Sequence, residues 1–157
     1  MTVFKRAVTT WTARARKRHH DYSERLHAML ACFDAAIILT DARGAITAMN
    51  GAAESLTGWS EAAAVGSPVG AVFQLLDRRT HRPVVNPVVR ALYKDIVVGP
   101  SYDTILLSKD GRERQIRDTA SPIHDRHGRI VGCALVGRVP DDAGSRGRRV
   151  EIRETHH

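Results

Sequence analysis

Long apolar runs, cysteines and aromatic side chains are all scarce in this chain. No apolar stretch approaches the roughly 20 residues that cross a bilayer. The N-terminus is basic with scattered apolar residues, not the continuous apolar core of a signal peptide. The chain therefore reads as cytoplasmic, with any membrane link made through a surface contact. There are two cysteines, Cys32 and Cys133. Each stands in an apolar string, Leu-Ala-Cys-Phe and Gly-Cys-Ala-Leu, which suits small buried hydrophobes in a reducing compartment and not a disulfide scaffold. The recurrent catalytic motifs are missing too. There is no Gly-rich phosphate loop with lysine, no Cys-x-x-Cys, no His-Glu-x-x-His and no Gly-x-Ser-x-Gly elbow. The sequence points away from an enzyme and away from a resident metal.

Acidic residues are absent from the first 20 positions, which carry Lys5, Arg6, Arg14, Arg16, Lys17 and Arg18. Residues 21–137 hold 13 bases and 13 acids, so most of the net charge of +7 belongs to an N-terminal arm. An acidic membrane surface is one contact such an arm suits. Nucleic acid is not expected, because Trp11 lacks interleaved stacking aromatics and no helix-turn-helix pattern adjoins it.

What is present begins with an apolar stripe. Phe4, Val8, Trp11, Ala15, Tyr22, Leu26, Met29 and Phe33 recur mostly at spacings of three and four, which predicts a helix over residues 3–33. Arg18 interrupts the seam. Such a helix cannot bury its stripe alone. Its first half is expected to pair with a second copy as a coiled coil, and its second half to pack on the domain. Phe4, Val8, Trp11, Ala15, Tyr22, Leu26 and Met29 are thus candidate dimer contacts.

Residues 35–58 form a compact unit of strand, turn, strand and capped helix. Ile37, Ile38 and Leu39 stop at Asp41, and a tight turn ends at Gly44. Ala45 to Met49 make a second strand, Asn50 is placed to cap a helix, and Gly58 to end it. Ser60 caps a further turn. Residues 69–76 read as one or two helical turns and residues 77–83 as a loop. Asn86-Pro87 opens a helix whose buried face is expected at Val88, Val89, Leu92 and Tyr93. Three strands close the domain, residues 101–108, 112–123 and 129–138, turning at Gly111 and Gly128. The last is apolar almost throughout and should be central. The sum is an α+β domain of five antiparallel strands with short helices on one face. The chain divides into a basic amphipathic helix (1–25), the domain (26–138) and a polar linker or start of a C-terminal helix (139–157).

Ile38-Leu39-Thr40-Asp41 with Gly44-Ala45-Ile46, Met49 to Glu54 with Leu56-Thr57-Gly58-Trp59, Val72-Phe73, Asn86-Pro87-Val88, Lys109-Asp110-Gly111, Ser121-Pro122-Ile123 and Ile130-Val131-Gly132 follow one another in order. In that order and spacing the chain resembles a PAS domain of the bacterial S-box type. The resemblance implies the PAS fold, a five-stranded sheet whose helical side encloses a small cavity. It also implies sensing or dimerisation within a larger signalling protein, commonly a histidine kinase or a cyclic-di-GMP enzyme. The Asp-x-Thr signature that often follows the last strand is replaced by Gly137-Arg138-Val139-Pro140-Asp141-Asp142, which shifts weight from C-terminal coupling to the N-terminal helix.

In that fold the inner wall is expected from Ile37, Leu39, Ile46, Leu56, Phe73, Leu92, Leu107, Ile116, Cys133 and Leu135, with Tyr102, Gln115 and Thr119 as polar groups. Asp41, Gly44, Asn50, Gly58, Gly111 and Gly128 take structural roles. The resemblance implies that a cysteinyl-flavin photosensor would carry its cysteine within residues 69–76; there is none there, so that chemistry is not expected. Haem would need an axial histidine, and His81, just before the 86–98 helix, is the nearest candidate. The leading expectation is a sensory module that dimerises through its N-terminal helix, holds no resident cofactor, admits a small-molecule ligand and acts on a downstream effector domain or kinase. A haem-based gas or redox sensor using His81 and an unliganded dimerisation scaffold stay open beside it.

Overall fold

The computed structural model describes residues 24–140. They separate after Asp34 into two units. In the first, residues 24–30 form helix α1, followed by a turn at 31–32. Leu26 is half-buried, while Met29 and Phe33 are exposed. Phe4, Val8, Trp11, Ala15 and Tyr22 lie outside the described residues, as do 141–157.

The second unit holds β1 (Ala36–Asp41), β2 (Ile46–Met49), α2 (Gly51–Thr57), α3 (Glu61–Ala64), α4 (Val69–Val72), β3 (Gln74–Asp77), α5 (Pro87–Lys94), β4 (Val98–Leu107), β5 (Glu113–His124) and β6 (Ile130–Arg138). The strands form one antiparallel sheet ordered β2-β1-β6-β5-β4-β3. β6 is central, as its continuous apolar run requires. The sheet has six strands where five were expected. The sixth, β3, lies at the edge and comes from the segment read as helical turns: Gln74-Leu75-Leu76-Asp77 pairs with Thr104–Leu107. Four residues are too few for a visible period.

Local chemistry sets the turns. Asp41 Oδ1 accepts from the main-chain N–H groups of Arg43 at 2.9 Å and Ala45 at 3.0 Å, and Gly44 supplies the positive φ of 88° that closes the hairpin. The β5–β6 turn repeats the device. Asp125 Oδ1 accepts from His127 N at 2.8 Å and Arg129 N at 3.0 Å, with Gly128 at φ 80°. Those bonds, led by the one from Arg129, hold the Asp125 carboxyl below its ordinary range. In the β4–β5 turn the Ser108 hydroxyl lowers Asp110 to about 2. Asn50 caps α2, and the Gly58 N–H bonds Glu54 O at its end. Asn86 caps α5, accepting from Val88 N at 3.0 Å while its amide donates to Phe73 O at 3.0 Å.

The core lies between one face of the sheet and the helices. Its buried members include Ala36, Ile38, Ile46, Met49, Ala53, Leu56, Phe73, Leu75, Val88, Ala91, Leu106, Ile116, Ala120, Cys133 and Leu135. On α5 the inward positions are Val88 and Ala91, with Leu92 partly buried against the core. Val89 and Tyr93, expected inside, are 53% and 87% exposed. Residues three apart share a helix face, so Val88 and Ala91 turn in together and Val89 and Tyr93 turn out.

Candidate functional site

The expected pocket wall divides in two. Ile46, Leu56, Phe73, Ile116, Cys133 and Leu135 belong to the core, and Leu92 packs on it. Leu39 and Leu107 are half-buried outside it, and Ile37, though buried, is not part of that cluster. Their neighbours Ala36, Ile38 and Leu106 take the core positions instead. Successive strand side chains point to opposite faces, so one step in parity moves the whole set. Two of the three expected polar groups, Gln115 and Thr119, are corrected for the same reason, and Tyr102 is turned out where the β4 register shifts between Ser101 and Thr104. Gln115 and Thr119 flank the buried Ile116, Asp118 and Ala120 on β5 and lie on the opposite face. Tyr102 is 55% exposed, with the Arg117 guanidinium 4.8 Å from its ring centroid. Gln115 Nε2 donates to Tyr102 O at 3.4 Å, at the surface.

Two polar side chains that were not expected in the pocket, Thr104 on β4 and Asp118 on β5, are buried on the core side of the sheet. Ile116, Asp118 and Ala120 alternate along β5 on the core face, and all three are buried. Asp118 is 1% exposed. Its Oδ1 lies 3.0 Å from Thr104 Oγ1, which is also 3.1 Å from Ile116 O. Asp118 Oδ2 is buried with no hydrogen-bond partner among the described residues. Burial raises the Asp118 pKa, and the Thr104 bond only partly opposes this. The backbone here is tightly packed: a Cβ on Gly99 would stand 2.5 Å from Asp118 O.

The polar signal was available in the sequence. Gln115, Arg117, Thr119 and Ser121 make one row of β5 wholly polar, which turns the row of Ile116, Asp118 and Ala120 inward despite its carboxyl.

This arrangement has a pH signature. The unfolded chain loses the Asp118 proton above its ordinary value of 3.8, while the folded chain keeps it to higher pH. The folded state therefore binds more protons in that window, and stability falls as pH rises through it. Asp118→Asn removes the titration. It is expected to stabilise the protein at pH 8 and to be close to neutral at pH 4. Urea unfolding at both pH values checks this, and an equal loss at both would contradict it.

His81 does not face the core. Its ring is on the surface, Nε2 lies 2.6 Å from Glu113 Oε1, and its backbone has φ 58°. On an exposed loop, with its ring turned to the surface and away from the core, His81 does not fit a haem site between sheet and helices. His124 pairs likewise with Asp95 at 2.6 Å. Among the described residues no group of three or more His, Cys, Asp and Glu side chains could hold a metal ion. Cys133 lies in the core, and burial pushes its thiol up to about 11, so it stays protonated. Cys32 is exposed. Among the described residues no helix is long and apolar enough to cross a membrane.

A six-stranded antiparallel sheet with its helices gathered on the core face is a recurring architecture. The family model for the PAS fold matches residues 24–140. The chain belongs to the PAS family. PAS domains are regulatory sensor modules, and this one is similar to the histidine-kinase sensors among them. It is 29% identical over 102 residues to the signal transduction histidine-protein kinase AtoS of Escherichia coli (strain K12), a match covering 64% of this chain and 15% of that kinase. The match thus spans well under two thirds of that relative. Among solved structures, a PAS domain from Colwellia psychrerythraea superposes with TM-score 0.57 at 24% identity, covering 75% of this chain and 96% of that one. The PAS domain of nitrogen regulation protein NR(II) from Vibrio parahaemolyticus gives TM-score 0.55 at 21% identity, covering 72% and 95%. At these identities the structural matches speak for the fold.

Proposed function

We propose that this PAS domain is the sensory and pairing module of a bacterial signal-transduction protein, forming a homodimer through its N-terminal apolar stripe and holding a small ligand between sheet and helices. The observation that carries the pairing is the exposed apolar surface of Met29 on α1 and of Phe33 just beyond its end, with Leu26 half-buried one turn earlier. Met29 and Phe33 are 61% and 55% exposed, and an apolar surface of this kind gains by burial against its own copy. The similarity to AtoS supports a histidine kinase as the effector. The basic residues of the arm suit an acidic membrane surface as a further contact. The unpartnered Oδ2 of Asp118 supports the ligand, since a buried polar atom calls for a partner.

Ligand and partner act by shifting populations. A ligand that binds one packing of the sheet better than another biases the helix pairing, with no bond made or broken. Light scattering of the 17.3 kDa chain tests the pairing. The wild type is expected to run at twice its monomer mass, and Met29→Glu with Phe33→Glu to weaken the dimer by at least about tenfold, since a carboxylate in the seam must be desolvated. An undiminished dimer in that variant would overturn the helical interface.

A further inference from the structure

The hydroxyl of Thr104 has one proton and two acceptors within reach, Ile116 O at 3.1 Å and Asp118 Oδ1 at 3.0 Å. Ile116 O can only accept. Each contact is a full two-centre hydrogen bond when Asp118 carries a proton on Oδ1 and donates it to Thr104 Oγ1, which in turn donates to Ile116 O; with Asp118 ionised, the one Thr104 proton is divided between two acceptors. The single acid proton is then spent on Thr104. What Asp118 still presents is Oδ2, an acceptor without a partner among the described residues, on the core face of β5 beside Ile116 and Ala120. A group meeting Oδ2 must donate. An alcohol can do so, but an ammonium does so with charge assistance and is favoured. A ligand carboxylate is disfavoured, having no proton to receive and a lone pair to meet.

We infer that Asp118, oriented by Thr104, is the recognition point for a small ligand carrying a protonated amine. This rests on the ligand-holding reading above and names its chemistry. Binding exchanges one charge for another. The ammonium arrives, the Asp118 carboxyl releases its proton to solvent, and the carboxylate accepts the ligand N–H on Oδ2. Thr104 turns its own proton from Ile116 O to Oδ1, so both carboxylate oxygens are satisfied. Because Thr104 is on β4 and Ile116 on β5, that rotation changes a link between two neighbouring strands. Site occupancy is thereby felt in the sheet.

The test uses the full chain with three probes of equal length: n-butylammonium, 1-butanol and butyrate. Calorimetry in two buffers of different ionisation enthalpy counts protons, and carboxyl ¹³C NMR follows Asp118 directly. The expected result is butylammonium binding about tenfold tighter than butanol, with proton release and movement of the Asp118 carboxyl resonance to its ionised position. Asp118→Asn should abolish both the preference and the proton release, and Thr104→Val should weaken the preference. Equal binding of butanol and butylammonium, unchanged in Asp118→Asn, would overturn the amine inference and leave the ligand-holding core standing. Binding of none of the three would overturn both readings. If Asp118→Asn failed to fold, the wild-type resonance would decide, since an Asp118 carboxyl that does not respond to butylammonium overturns the inference alone.

Discussion

Gly132→Ala is expected to lower stability by about 3–5 kcal/mol and the thermal midpoint by roughly 10 °C or more. Gly132 lies on β6 opposite Asp41 of β1. A Cβ built on it stands 2.1 Å from Thr40 O, 3.3 Å from Thr40 C and 3.7 Å from Asp41 Cα. The obstacle is main chain, so no rotamer change relieves it, and the two strands must part. Parting them matters more here than at an edge, because β6 is the seam joining the β1–β2 pair to β5 and the rest of the sheet. Gly70→Ala is the internal control. Gly70 lies in α4, and a Cβ there meets nothing within 4 Å. Alanine is the better helix former, so this change should stabilise by up to about 1 kcal/mol. Urea unfolding of both variants decides the matter. Similar midpoints for the two would show that β1 and β6 are not packed as described.

What was legible in the sequence was local. Asp41 with Gly44, Asp125 with Gly128, Asn50 before α2 and Asn86-Pro87 before α5 each act within a few residues. Their chemistry is the same whatever the rest of the chain does. The centrality of β6 was legible as well, because an apolar run without alternation needs cover on both faces. Parity on β1 was not. Ile37, Ile38 and Leu39 are all apolar, so the period of two carries no mark there, and only pairing with Met49 on β2 and Leu135 on β6 fixes Ile38 inward. The same blindness on α5 placed Val89 and Tyr93 inside, where small Ala91 takes the position instead. On β5 the mark did exist, since an all-polar row flanks Asp118. An inward carboxyl conflicts with the expectation that charges stay outside, and that conflict is what singles out Asp118 and Thr104 as the candidate site. The constraint at Gly132 depends on the β1–β6 register, a contact between residues about 90 apart in sequence, and no local string encodes it.

Asn50 shows how far a cap can exceed its usual role. Its Oδ1 accepts from Ala53 N at 3.0 Å, the N-cap bond of α2, and also from Ile37 N at 2.9 Å in β1. Its Nδ2 donates to Ala35 O at 2.8 Å. The side chain is 4% exposed, so water cannot replace these bonds cheaply. One amide therefore ties the opening of β1 to the opening of α2. Asn50→Ala leaves two donors and one acceptor without their side-chain partner and should cost about 3 kcal/mol. Ser60→Ala, which removes a single exposed cap bond to Ala63 N, should cost about 1 kcal/mol or less. The sharper comparison is Asn50→Asp. Asparagine and aspartate are nearly equal as isolated N-caps, and a carboxylate keeps both bonds that Oδ1 accepts. It has no proton for Ala35 O, however, and sets an oxygen against an oxygen where the amide nitrogen stood. Asn50→Asp should thus lose about 2 kcal/mol at pH 7, where cap statistics allow it almost none. Wild-type stability in Asn50→Asp would mean that the bond to Ala35 contributes nothing and that Asn50 is an ordinary cap. The expected loss would mean that strand and helix are fastened by the one side chain able to donate and accept at once.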